Sequence, residues 1–147
     1  MGLFSGMSIS ASGLTANRTW LNVIANNIAN ANTARTPQGG PYRSEEVVFS
    51  PIASGGFGAT LSGALTASQG GAAQGVQVSG IVQSSAPFKL VYDPSSRNAV
   101  NGYVQMPNVD IATQMLDMIA ATRAYQANVT AFGAAKAMDV QAINLGK

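Results

Sequence analysis

The 147-residue chain has no cysteine and no histidine. Those two absences remove thiol nucleophiles, imidazole bases, disulfides and most transition-metal sites together. They do not point to a compartment, since a cysteine-free chain suits any redox environment. Charge is also scarce: 10% of residues are charged and 46% are apolar, many of them Ala. An average domain carries roughly a quarter charged residues. Sparse charge with this apolar content suits a surface covered by other protein, rather than a solvated chain. The eight Lys and Arg give a net charge of +2 and are scattered. There is no concentrated basic face for nucleic acid and no polybasic membrane patch. No run approaches the roughly 18 apolar residues of a membrane span, so direct membrane insertion is not expected. The start, "MGLFSGMSIS", lacks a basic n-region, and Ser and Gly break its apolar stretch, so any export is expected to proceed without a cleaved signal peptide.

The carboxylates are equally uninformative for catalysis. Glu45 and Glu46 are adjacent, and on a strand they point to opposite faces. Asp110 and Asp117 lie two helical turns apart, which suits a cap charge and a solvated face. No phosphate-binding loop of the G-x-x-x-x-G-K-[ST] type occurs, and Gly55, Gly56 and Gly58 are followed by no basic residue. No catalytic, cofactor or metal site is expected, and the chain does not read as an enzyme.

What is present is periodicity at both ends. Met7, Leu14, Leu21, Ile24 and Ile28 form one stripe of a helix over about residues 4–32, close to a heptad seam. Gly13 lies within it and weakens it. Near the other end, Pro107 closes the preceding segment, Asn108 is the expected N-cap, and Asp110 falls in a first turn that favours an anion. Ile111, Met115, Met118, Thr122, Tyr125, Val129 and Phe132 then repeat at heptad spacing, widened by Leu116 and Ile119, and Gly146 ends the pattern. A helix over about 109–145 would be roughly 55 Å long, so it projects from any compact domain of this size. Its Met and aromatic stripe reads as packing rather than a cofactor box. Neither helix can hide its stripe alone, so the two are expected to be partners.

The middle differs. "TPQGGPY" (36–42) is a turn-rich break. "YRSEEVVF" (42–49), "VQVSGIV" (76–82) and "FKLVY" (88–92) read as strands. Asn101-Gly102 between Val100 and Tyr103 is a hairpin signal. Residues 54–75 are nearly all Gly, Ala, Ser, Thr and Gln and read as a flexible insertion. The expected fold class is α+β, with long terminal helices packed as a coiled-coil-like domain and a small β-rich middle. The expected segments are 1–36, 37–107 and 108–147.

One stretch needs a separate explanation. "NVIANNIANANT" carries Asn22, Asn26, Asn27, Asn30 and Asn32, although Asn competes with the helix for backbone partners. A wet helix face is one reading. Burial between neighbouring copies is the other, because a buried amide must be paired and each pair fixes a register. No charged residue occurs from Thr19 to Ala34, whereas an exposed face would carry Lys and Glu, so the second reading is preferred. The expected assembly interface therefore comprises Leu14, Leu21, Ile24, Asn26, Asn27, Ile28, Asn30 and Asn32 from the first helix, with Met115, Met118, Tyr125, Val129 and Phe132 from the second.

These residues carry a resemblance. "ANNIANANT" (25–33) resembles the motif of the flagellar axial family, which includes rod and hook proteins. Most members continue with a Gly-Tyr-basic signature. Here "RTPQGGPYR" (35–43) follows, which is similar to the proximal-rod branch. "PNVDIATQMLDMIAATRAYQANVTAFGAAKAM" (107–138) resembles the same branch, and the likeness covers about residues 1–49 and 93–147. It implies a structural protein exported through the flagellar type III apparatus, with other rod subunits and further copies of itself as partners, in a periplasm-spanning helical assembly. It implies no cofactor. It also implies an inner α domain made by the two terminal helices. A helical polymer uses non-closing contacts on several faces, which accounts for apolar stripes with few charges. A two-helix adaptor or export chaperone is the competing class, and it should fold stably alone and carry more charge.

Overall fold

In the computed structural model, residues 5–52 and 75–145 are described. The order of elements is α1 (Ser5–Ala29), β1 (Glu45–Pro51), β2 (Val76–Gln83), β3 (Lys89–Tyr92), β4 (Tyr103–Met106) and α2 (Ile111–Leu145). This is the expected α+β plan, with two long terminal helices around two small sheets. The expected insertion at 54–75 lies, except for Gly75, outside the described residues.

β1 pairs with β2, and β3 with β4. The first ladder is antiparallel: Ser84 N–H donates to the Ser44 carbonyl at one end, and Ile52 N–H to the Gly75 carbonyl at the other. The second is also antiparallel, with Leu90 opposite Gln105 and Tyr92 opposite Tyr103. The rings of that last pair meet edge to face, with centroids 5.3 Å apart. Just before β4, Asn101 and Gly102 have φ of 54° and 81°. Positive φ at both central residues is what a type I′ turn requires, and Asn-Gly is the pair that tolerates it. The turn joins Val100 to Tyr103, which exchange two backbone hydrogen bonds.

The chain divides into two compact units, and the division runs across the helices. One comprises Met1–Arg18, Phe49–Ser79 and Thr122–Lys147; the other comprises Thr19–Val48 and Gly80–Ala121. The second holds most of the buried side chains, among them Val23, Ile24, Asn27, Val104, Pro107, Val109 and Ala121. In the first, Ser10, Gly13 and Ala16 are the buried positions among the described residues.

Helix boundaries follow local chemistry. α1 ends where Asn30 folds its amide back onto the carbonyl and side chain of Asn26. α2 starts after Asp110, whose carboxylate accepts from the Thr113 hydroxyl at 2.7 Å. That bond, then the Ala112 N–H, the Lys89 charge and the Thr113 N–H, hold the Asp110 carboxyl below its usual range. The cap is therefore Asp110 and not Asn108. Asn108 is taken up elsewhere: its Oδ1 accepts from Ser44 N–H and its Nδ2 donates to the Ala86 carbonyl.

The helix seams are offset from the large apolar residues. On α1 the buried positions are Ser10, Gly13, Ala16, Val23, Ile24 and Asn27, while Met7, Leu14, Leu21 and Ile28 are half-buried. On α2 the less exposed positions include Gln114, Met118, Ala121, Ala124, Asn128, Phe132 and Ala135, again at heptad intervals. Met115, Tyr125 and Val129 face outward. Small residues and amides take the inner seam because they let two helices come close. At Gly13 a Cβ would sit 3.0 Å from the Asn128 amide. The glycine that weakens α1 as a helix is thus the one that admits Asn128.

Candidate functional site

Among the described residues no group of His, Cys, Asp or Glu could hold a metal ion, and no helix is long and apolar enough to cross a membrane. The features that remain are a buried polar hub, an uncovered apolar helix face and a groove on the β3–β4 sheet.

The hub is Asn27, which is 1% exposed. Its Nδ2 donates to the Glu45 carbonyl at 2.8 Å and to Gln114 Oε1 at 2.9 Å. Its Oδ1 accepts from Glu45 N–H at 2.9 Å and from the Tyr42 hydroxyl at 2.9 Å. Two donors and two lone pairs are the full capacity of an amide. The side chain pairs with the main chain of Glu45 as a neighbouring strand would, and so finishes the start of β1. Burial, and next the charge of Glu45, raise the Tyr42 phenol above its usual pKa, so it stays a donor at neutral pH. Around the hub, Arg43 stacks 4.3 Å above the Phe88 ring and donates to the Ser84 carbonyl, while Lys89 donates to the Val109 carbonyl.

Asn27, expected among the amides that bond between copies, makes these four bonds within one chain. Asn27 is saturated inside its own chain, because the strand edge at Glu45 lies beside α1 and needs partners. Asn26 and Asn30 close the end of α1 locally, with Thr33 donating to Asn30. Asn22 and Asn32 are exposed. Ile24 is buried within the fold, and Leu14, Leu21 and Ile28 are half-buried beside the seam.

On α2 the large apolar residues are uncovered. In the unit holding Ile111–Ala121, Ile111, Met115, Leu116 and Ile119 are exposed, Leu116 by 67%. In the other unit, Tyr125, Val129, Met138, Val140 and Ile143 are exposed, while Phe132 is half-buried. Scattered surface apolar residues are ordinary, but each unit gathers several of them on its own part of this one helix.

Comparison with known proteins shows which family the chain belongs to. Residues 7–35 match the family model for flagella basal body rod proteins, and residues 100–145 match that for the C-terminal region of flagellar basal body rod FlgEFG proteins. The flagellar basal-body rod protein FlgC of Borreliella burgdorferi is 42% identical over 145 residues, covering 94% of this chain and 93% of that protein. The FlgC proteins of Bacillus subtilis and Escherichia coli O6:H1 are 40% and 39% identical, each over the whole of both chains. The chain belongs to the FlgC family of flagellar basal-body rod proteins. The two family models fall on α1 with the turn behind it, and on β4 with α2. They therefore cover the segments that carry the hub residues Asn27 and Gln114 and the uncovered face of α2. The FlgC likeness extends further, through the strands between them. Tyr42, Gln114 and the Gly13–Asn128 approach had no sequence signal of their own, because their partners are remote in the chain.

Proposed function

We propose that this FlgC-family chain is a structural subunit of the proximal part of the flagellar basal-body rod, and that motility requires it. The full-length correspondence to FlgC proteins carries this reading. The exposed apolar residues of α2, Met115, Tyr125 and Val129 together with Leu116 and Ile119, supply the surface that packs against other rod subunits and further copies of this chain. The half-buried Leu14, Leu21, Ile28, Met118 and Phe132 and the exposed Asn32 take part in the same packing between subunits. Asn27 serves by holding α1, β1 and α2 in one register, so that each copy presents the same faces. Non-closing contacts of this kind build a helical polymer rather than a ring. The subunit reaches the rod through the type III export apparatus without losing a signal peptide, and it works as a mechanical element rather than as a catalyst.

Quantitative mass spectrometry of detergent-washed hook–basal bodies tests the proposal. Peptides such as 44–89 are expected in stoichiometric ratio to other rod subunits. Their absence from intact basal bodies, with the chain abundant in the cytosol, would favour the adaptor class and overturn the rod reading.

A further inference from the structure

A groove of about 630 Å³ lies on the β3–β4 sheet, with Leu90, Val100 and Tyr103 on its floor and rim and Arg35 and Arg97 in its wall. It does not belong to the α2 face. Its apolar residues are open, Leu90 by 65% and Val100 by 73%. Its two guanidinium groups are almost unused. Arg35 makes one long hydrogen bond, 3.4 Å, to Asn98, and Arg97 makes none among the described residues. None of the chain's six carboxylates lines the groove. Arg presents five donors in a fixed fork suited to a carboxylate, so two of them beside an apolar floor favour an acidic group next to an apolar one.

The chain offers such a pair on a different face of the same unit. Asp110 is engaged by Thr113, Asp93 by Ser95 N–H, and Glu45 lies half-buried at the Asn27 hub. Asp117 and Asp139 are half-buried on α2. Glu46 is exposed on β1 and makes no side-chain bond among the described residues, and Val48, two positions on and on the same face, is 44% exposed. We infer that the Arg35–Arg97 groove of one copy takes the Glu46–Val48 face of β1 from a second copy. Groove and strand face are different patches, so the contact is head-to-tail and continues from copy to copy. This inference rests on the rod reading and adds a homotypic contact to it.

Charge exchange tests it in a motile cell whose own subunit is replaced by this chain, with incorporation into hook–basal bodies as the readout. R97E and E46R each place like charges together, so each should lower incorporation about tenfold or more. The double variant R97E/E46R restores the pair and should return incorporation to within about twofold of wild type. Single variants at wild-type level, or a double variant no better than the worse single one, would overturn the contact. Because the chain has no cysteine, a second measurement is independent of those variants' folding. Val100→Cys with Glu46→Cys should give an oxidised ladder of dimers and higher multimers in basal bodies, and neither single substitution should form the ladder. A double-cysteine chain that incorporates but stays monomeric overturns the contact. Failure of the wild-type chain to enter basal bodies would instead overturn the rod reading.

Discussion

Replacing Asn27 by Leu keeps the side chain's approximate size and removes all four of its hydrogen bonds. The Glu45 N–H and carbonyl, the Tyr42 hydroxyl and Gln114 then lose a partner at a site where the amide was 1% exposed. A typical intramolecular hydrogen bond contributes roughly 0.5–1.5 kcal/mol net, and a buried group left unsatisfied costs about 1–3 kcal/mol. The partners are only part-buried and regain some water, so the expected loss is about 3 kcal/mol, near the low end of that range for four bonds. That is a large share of the roughly 5–15 kcal/mol that holds an ordinary domain together. Urea unfolding of the purified chain, followed by far-ultraviolet circular dichroism, measures the loss. Hydrogen exchange at the Glu45 amide reads the broken bond directly. Asn30→Leu is the control: its amide bonds only within its own helix end, and it should cost less than about 1 kcal/mol. An Asn27→Leu chain within about 1 kcal/mol of wild type, with Glu45 exchange unchanged, would refute the hub.

Gly13→Ala should destabilise the chain by about 1–3 kcal/mol despite alanine's better helix propensity, because its Cβ meets Asn128; adding Asn128→Ala should recover most of the loss in thermal melts. The Tyr42 phenol is raised in the folded chain, by burial and then by Glu45, above its ordinary value of 10.0. Its contribution is therefore complete below pH 10 and fades as pH rises through the higher folded value. Stability measured between pH 9 and 11 should fall less steeply in Tyr42→Phe than in wild type, and equal slopes would contradict the assignment. On α2 no described residue beyond Ala121 is buried, so in the free chain amides of 122–145 should exchange faster than those of 114–121, and uniform protection along the helix would contradict this.

The helices and strands were legible because each rests on a local rule. Heptad spacing placed α1 and α2, alternation placed β2, and Asn101-Gly102 placed the turn before β4. What escaped was everything set by a partner distant in the chain. Asn27 is one of five amides that read as buried, but its partners lie 18, 15 and 87 positions away, and nothing local says that they belong to the same chain. An amide buried by its own fold and one buried between copies look alike in sequence, since both must be paired. The cap of α2 was displaced by two residues for a similar reason: Asn108 is a good cap by type, but Ser44 and Ala86 claim it. The seams shifted because periodicity marks the large apolar residues, whereas close packing selected Gly13, Ala16 and Ala121. The apolar residues left outside the seam, Leu116 and Ile119 among them, supply the proposed assembly surface.

The most direct test of that surface uses the absence of native cysteine. Leu116→Cys places a single thiol on the exposed face of α2 without touching the Asn27 hub. Maleimide labelling is measured on the free chain and on the same chain in purified hook–basal bodies. A buried contact face predicts ready labelling of the free chain and protection of about tenfold or more in the rod, since the thiol must become inaccessible once other protein covers it. Equal labelling in both states would show that α2 presents this face to solvent in the rod, and it would contradict the account.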